Sequence, residues 1–241
     1  MNNKEQWDAR AKQNAMYWVL TEKDDWKEED FYKRGEEDVG RYVLPFLKNK
    51  GILENSDSMV GLDIGCGLGR LTKALQPFFF HVIGVDISSE IIKQAQEKLP
   101  SMEFHTSQAN SLPLSNESVD YVFSFISFQH FPSKKYVLAS FQEVRRVLKK
   151  GGIAQIQIRG VPGATFRSPA VWMAWNRLWV GLISIKRLPV LPWVGIFGYR
   201  GSIFGAAFKE REIKQKLLQE GFRAVETWHE NPRHLWVYLE K

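Results

Sequence analysis

Cysteine is nearly absent from this sequence: its 241 residues include one, Cys66, so no disulfide can form within the chain. That usage favours a reducing, cytoplasmic setting. No run of about 18 uncharged apolar residues occurs, which argues against a membrane-spanning helix. Charges near the start replace the apolar core that a secretory leader needs. His and Cys do not cluster at metal-ligand spacing and no paired carboxylates stand out, so no metal is expected.

Acidic residues are missing from residues 144–209, although the whole chain has 27. The same stretch, called here the basic block, holds eleven Lys and Arg residues and leaves the remainder of the chain net acidic. A block of one sign can attract an anionic surface or ligand. It can equally be a solvated face without a partner, and the sequence leaves both interpretations open.

Glycine, in contrast, is concentrated in one short segment that is informative about function. Residues 62–70 read L-D-I-G-C-G-L-G-R, with Gly65, Gly67 and Gly69 between an apolar run and a helix-forming stretch. Glycines let a backbone approach a bound nucleotide closely because no Cβ intervenes. Asp86 ends the next apolar run, V-I-G-V-D, at the position from which a carboxylate reaches a ribose diol. The spacing therefore predicts a unit that holds an adenosine.

The third glycine distinguishes between two kinds of adenosine cofactor. Dinucleotide sites use G-x-G-x-x-G, whereas this chain has G-x-G-x-G, and Asp63 before the loop suits a cationic ligand better than a pyrophosphate. The loop resembles motif I of the class I S-adenosylmethionine (SAM) dependent methyltransferases. The resemblance implies a SAM site with Asp63 near the cationic end and Asp86 on the ribose, and a set of cofactor-binding residues completed by Gly65, Cys66, Gly67, Gly69 and Ile87.

Further along, Q-A-N-S-L-P-L resembles the segment with which this family holds the adenine, which implies roles for Asn110 and Ser111. Asn110 replaces the usual acidic residue there, but its carbonyl can still accept from the adenine amino group. Phe125 lies where the family's backbone passes the methionine moiety. His130, in F-Q-H-F, is the candidate general base, since an imidazole titrates near neutral pH. Asp120 is predicted to close a strand.

Apolar periodicity predicts a doubly wound α/β fold with a mostly parallel seven-stranded sheet and an antiparallel C-terminal hairpin. Helices are predicted at 4–20, 35–50, 71–79, 133–150 and 210–220, with one more capped by Ser88 or Ser89. Strands are predicted at 59–64, 81–86, 102–106, 120–124, 153–158, 222–227 and 235–239.

The predicted domains are an N-terminal helical lid (1–57), a Rossmann-like core (58–161 and 209–241) and an inserted aromatic-rich cap (162–208). The cap has four of the nine tryptophans, and two of them, Trp172 and Trp175, are candidate acceptor contacts. On the lid, Tyr17 and Trp18 are the corresponding candidates. Most of the aromatic residues of the cap can equally be explained as members of an ordinary hydrophobic core.

The sequence thus predicts a class I SAM-dependent methyltransferase acting on a small acceptor that is partly apolar and can be anionic. The methylated element and the oligomeric state are left open. Three alternatives stand beside it: an RNA or protein methyltransferase using the basic block, a nicotinamide dehydrogenase, and a non-catalytic SAM-binding module that contacts an anionic membrane surface. Nucleic acid is disfavoured, since the cysteine nucleophile of cytosine methylation and the Asn/Asp-Pro-Pro-aromatic signature of base-amine methylation are missing.

Overall fold

A computed structural model describes residues 3–161, 205–231 and 233–241. The α-helices of this part are α1 (Asn3–Val19), α2 (Glu28–Asp38), α3 (Leu44–Asn49), α4 (Arg70–Leu75), α5 (Ser89–Lys98), α6 (Lys134–Val147) and α7 (Glu210–Gln219). A turn of π-helix, Val39–Val43, joins α2 to α3, and 3₁₀ turns occupy Leu53–Ser58, Gln76–Phe78 and Phe128–His130. The strands are β1 (Val60–Ile64), β2 (His81–Asp86), β3 (Glu103–Thr106), β4 (Val119–Ser124), β5 (Leu148–Gly160), β6 (Ala207–Phe208), β7 (Ala224–Asn231) and β8 (His234–Glu240).

These strands form one sheet in the order β3-β2-β1-β4-β5-β8-β7, and the two-residue β6 pairs with the end of β5. Strands β1 to β5 pair in parallel, whereas β8 runs antiparallel to both β5 and β7. The predicted fold class is confirmed, with β6 as a short addition to the seven predicted strands. The strand order reverses between β1 and β4, and ligands of open parallel sheets bind outside the carboxyl ends of strands at such a point.

Both faces of the sheet are covered, as the near-continuous apolar strands require. On one face, Leu62, Val122 and Ile156 are buried against α6 and α7. On the other, Tyr121, Phe123 and Trp236 pack with the π-helix, α3 and α4. Strand residues alternate between faces, so neighbouring positions of β4 belong to different cores.

The N-terminal helices differ from the prediction in their bounds. The predicted helix at 35–50 begins earlier, at Glu28, and is three segments: α2, the π-helix and α3. In α1, Asn14 has non-helical angles (φ −164°, ψ 91°), which break the helix into two parts. The Asn14 side chain accepts a hydrogen bond from the Tyr17 N–H (3.1 Å), so it caps the second part.

The helix predicted for 133–150 ends at Val147 because Leu148 takes extended angles (φ −62°, ψ 135°) and starts β5. The register between β4 and β5 then shifts, from the pair Val119↔Leu148 to the pair Tyr121↔Ile153. This irregularity absorbs the residues around Gly151, which has φ +75°. Periodicity alone cannot reveal such a bulge, since the residues inside it face neither core.

Most of the predicted cap lies outside the described residues, together with Trp172 and Trp175. Its last residues are described: the Gly205 N–H donates to Gln129 O (2.8 Å) and the Ala206 N–H to Phe131 O (3.0 Å). Phe208 is fully buried in the core of the sheet. The C-terminal end of the predicted cap is therefore fastened to the loop that carries His130.

Candidate functional site

One cavity opens at the carboxyl ends of β1, β2 and β4, where the strand order reverses. Of the residues predicted to bind cofactor, Gly65, Cys66, Gly67, Asp86, Ile87 and Phe125 line it, joined by His130 and Trp18. Sequence patterns had not singled out other lining residues, among them Asn3, Trp7, Val19, Arg70, Ser107, Ile126, Ser127 and Tyr136. The cavity thus joins segments that are more than 120 positions apart in the chain.

The glycine loop follows β1 directly, and Gly65, Gly67 and Gly69 have φ of +77°, +55° and +77°. A Cβ on Gly65 would lie 2.0 Å from the Ser127 Oγ, and one on Gly67 would lie 2.7 Å from a methyl of Val19. Both glycines therefore let other parts of the cavity wall approach the loop. Gly69 is different: its missing Cβ makes room for Phe104 (2.6 Å), and it does not line the cavity.

The carboxylate of Asp86, at the end of β2, is held by backbone donors. Its Oδ2 accepts from the Gly67 N–H (3.1 Å) and its Oδ1 from the Ser88 N–H (2.9 Å). Desolvation raises the pKa of Asp86, while these hydrogen bonds oppose the rise. Each oxygen keeps a lone pair, so the carboxylate can still accept two hydroxyl groups from the cavity.

Asp63 lies within β1 and is buried, with 1% of its surface exposed. Its Oδ2 accepts from the Thr72 Oγ1 (2.7 Å) of α4, and burial raises its pKa to about 6. The structure does not bring Asp63 into the cavity wall. Its predicted contact with the cationic end of SAM stays a prediction. Its hydrogen bond with Thr72 links β1, the strand that leads into the glycine loop, to α4.

Of the two predicted adenine contacts, neither lines the cavity, although their neighbours Ser107 and Ala109 do. The Oδ1 of Asn110 is buried and has no hydrogen-bond partner among the described residues. An orphaned acceptor of this kind costs free energy unless a ligand donates to it. Ser111 is exposed, and its N–H donates to Gln108 O (3.0 Å).

The cavity wall after β4 contains Phe125, Ile126 and Ser127. Ile126 has φ +63°, which a β-branched residue rarely adopts. Such strain is found where surrounding structure enforces it, often at functional sites. Asp120, near the start of β4, accepts from the Val60 N–H (2.9 Å) and from the Lys149 Nζ (2.7 Å), and so links β4 to β1 and β5.

Aromatic side chains accompany His130 in the cavity wall. The His130 ring meets Trp7 edge to face at 5.5 Å between centroids. Trp18 also lines the cavity, whereas Tyr17 packs against Trp18 without reaching the cavity. The guanidinium of Arg10 lies over both tryptophans, 4.7 Å from the Trp7 ring and 4.9 Å from the Trp18 ring. The positive charge of Arg10 therefore lies against the rings of the two tryptophans that line the cavity.

Helix α1 is fastened next to Asp86. The Asp8 Oδ1 accepts from the Ser88 Oγ (2.6 Å) and from the Glu90 N–H (3.1 Å), so it sits at the start of α5. Ser88 is the N-cap of α5 and bonds the Ile91 N–H (3.1 Å). Nothing in the spacing around Asp8 indicated this contact, because the partners are about 80 residues apart.

Several described members of the basic block are engaged within the protein. Arg146 pairs with Glu143 (2.8 Å), Lys149 with Asp120 (2.7 Å), and Arg159 donates to Gly205 O (3.1 Å). These contacts leave those cations less available to an external polyanion. In the described part of the chain, no His, Cys, Asp or Glu group of three or more could hold a metal, and no helix is long and apolar enough to cross a membrane.

The residues present fit SAM. Asp86 offers two acceptors to a ribose, and Gly65 and Gly67 offer a loop without side chains. The cavity wall between them is mainly apolar.

Comparison with known proteins agrees with this fit. The sequence model of a family described as "Methyltransferase domain" matches residues 62–156. A demethylmenaquinone methyltransferase of Thermotoga maritima is 29% identical over 135 residues, which cover 55% of this chain and 57% of that protein. A malonyl-[acyl-carrier protein] O-methyltransferase of Hamiltonella defensa is 30% identical over 92 residues, covering 38% and 34%. The alignments span between 22% and 57% of the curated relatives' lengths.

Among solved structures, magnesium protoporphyrin IX methyltransferase of Synechocystis PCC 6803 with bound S-adenosylhomocysteine (SAH) superposes with a TM-score of 0.60 at 16% identity, covering 99% of this chain and 97% of that one. At this identity the likeness concerns the fold, which is the fold derived above. The matched domain contains the glycine loop, Asp86, Asn110 and His130. Residues 62–156 of this chain therefore match a methyltransferase domain, and the chain has the fold of an S-adenosylmethionine-dependent methyltransferase.

Proposed function

We propose that this chain transfers a methyl group from SAM to a small, partly apolar acceptor. The observation that carries the proposal is one cavity whose wall combines Asp86 and the glycine loop with His130, Trp7 and Trp18. When bound, SAM supplies an electrophilic methyl group whose leaving group needs no acid. The protein's task is then to position the acceptor and to exclude water.

We assign the following roles to individual residues. Asp86 and the glycine loop hold the ribose and the adjoining chain, and Asn110 accepts from the adenine amino group. Trp7 and Trp18, which line the cavity, present flat apolar surface to the acceptor. His130 also lines the cavity and takes a proton from an acceptor hydroxyl or amine.

The acceptor is expected to have a planar apolar part and to tolerate negative charge. Aromatic walls favour flat ligands, and Arg10 places a cation behind Trp7 and Trp18. The names of the relatives point to quinone, acyl-carrier-protein-linked and porphyrin acceptors in those proteins. The quinone and the porphyrin each have a flat ring system, which supports this acceptor class here.

The proposal is tested in two stages. Calorimetry should give micromolar affinity for SAM or SAH and none for NAD, and comparable NAD binding would overturn it. A screen with methyl-labelled SAM should then find transfer to flat anionic or phenolic compounds. Transfer to RNA or to a protein instead, or steep salt dependence of RNA binding, would favour the basic-block alternative.

A further inference from the structure

Phe125 is the first residue after β4, and its ring lines the cavity beside Ile126. The same ring packs against two further aromatic rings. Trp236 of β8 stacks on it at 5.5 Å between centroids with the planes 6° apart, and Tyr42 lies 5.1 Å away at an angle of 36°. Trp236 is fully buried, whereas Tyr42 belongs to the π-helical turn Val39–Val43. The position of this part of the cavity wall therefore depends on how Tyr42 is held.

The π-helical turn and the central sheet fix the backbone of Tyr42. The Leu44 N–H donates to Val39 O, five residues back, so the turn holds one residue more than a turn of α-helix. Val39 and Val43 are both buried in the core between this turn and the sheet. The Tyr42 carbonyl accepts from the Nε2 of Gln155 (2.9 Å), a fully buried residue of β5. The backbone at Tyr42 is thereby tied to the sheet.

The hydroxyl of Tyr42 is tied to the same strand. It donates to the Glu230 Oε1 (2.5 Å), and the Gln157 Nε2 donates to the Glu230 Oε2 (3.1 Å). Gln155 and Gln157 are two positions apart on β5 and so share one face of the sheet. Burial and the Glu230 carboxylate raise the pKa of the Tyr42 hydroxyl, so it keeps its proton for this bond. Residue 42 is therefore held at both ends by β5.

Hydrogen bonds give Tyr42 a direction that ring packing alone lacks, because they fix one orientation of its ring. A side chain that must meet a ligand within a fraction of an ångström needs neighbours whose own rotamers are fixed. We propose that Tyr42 is a positioning residue, which holds the Phe125 ring in the wall of the cofactor cavity. This inference rests on the proposed cofactor binding and adds to it a residue that does not itself line the cavity.

Calorimetry with SAH tests the inference through Tyr42→Leu, which removes the ring and keeps an apolar side chain. This variant should bind SAH about 3- to 12-fold more weakly than wild type, the range of one aromatic contact. Tyr42→Phe keeps both ring contacts and the bond from Gln155, and should restore the affinity to within twofold of wild type. An unchanged Kd in Tyr42→Leu would overturn this inference alone, whereas failure of the wild type to bind SAH would remove the cofactor proposal itself.

A double-mutant cycle separates positioning from general destabilisation. In a Phe125→Leu background, Tyr42→Leu should change the Kd for SAH by less than twofold, because no ring is left to position. An equal loss of affinity in both backgrounds would overturn the inference. Should Tyr42→Leu not fold, Glu230→Gln weakens the anchor of the Tyr42 hydroxyl without emptying space, and its loss of affinity should likewise be confined to the protein that retains Phe125.

Phe46→Leu is the matched control. It removes a comparable ring stack on the same face of the sheet, with Tyr238 at 4.5 Å and 18°, and neither of these rings lines the cavity. Phe46→Leu should lower Tm and leave the Kd for SAH within twofold of wild type. A loss of affinity as large as that of Tyr42→Leu would refute a positioning role, since any damage to this aromatic cluster would then suffice.

Discussion

Replacing Asp86 with alanine should weaken SAH binding by about 10- to 150-fold. Its two oxygens each accept one backbone N–H and each keep one lone pair for a ribose hydroxyl. Losing hydrogen bonds to a charged acceptor costs about 1.5–3 kcal/mol, and this cost corresponds to that change in Kd. Asp86→Ala also leaves the N–H groups of Gly67 and Ser88 without their acceptor, so a lower Tm is expected as well.

Asp120→Ala provides the matched control. Asp120 also accepts two hydrogen bonds, from the Val60 N–H and the Lys149 Nζ, but it does not line the cavity. It should lower Tm and leave the calorimetric Kd for SAH within twofold of wild type. A folded Asp86→Ala protein that binds SAH like wild type would refute the ribose role. An equal loss of affinity in Asp120→Ala would show that the effect is general destabilisation.

Three further results are expected. Burial raises the pKa of the Asp63 carboxyl from 3.8 to about 6. The folded protein therefore binds this proton more tightly than the unfolded chain does. The resulting contribution to the free energy of unfolding is present below pH 4 and is lost as the pH rises through 6. Relative to Asp63→Asn, the free energy of unfolding of the wild type should fall by roughly 2 kcal/mol between pH 4 and 7, and a constant difference in urea titrations would contradict this. His130→Gln should lower kcat by about 10²–10⁴ with SAH affinity unchanged; a loss below tenfold with an unchanged pH–rate profile would mean that His130 only packs. Replacing residues 162–204 with a Gly/Ser linker, so that 205–208 are retained, should leave SAH affinity within a few fold and abolish turnover, whereas loss of both would place the segment in the core.

The linker experiment depends on a detail that the sequence did not show. Phe208 counted among the aromatics of the predicted cap, but it is fully buried in the sheet core, and Gly205 and Ala206 bond the loop at Gln129 and Phe131. A replacement that removed these residues would damage the core together with the cap. Retaining 205–208 separates the two effects.

Local sequence determined the fold class and the cofactor loop. The alternation of strand and helix patterns, the glycines at 65, 67 and 69, and the acid at 86 are short-range features, and short-range features are what periodicity and spacing report. The position of Asp86 at the cavity followed from them, whereas the strand order came from the structure. Boundaries were less accurate where chain geometry intervened, as at Leu148, whose extended angles begin β5 inside the predicted helix.

Tertiary structure alone decided how the cavity is enclosed. Ser127 lies against Gly65, Val19 against Gly67, and Asp8 against Ser88, and each pair is separated by about 50 to 80 residues of sequence. The contacts of Tyr42 with Phe125 and Glu230 are likewise invisible to spacing. Such contacts form because buried surfaces must be complementary and buried charges must be paired, and those conditions exist only once the chain is folded.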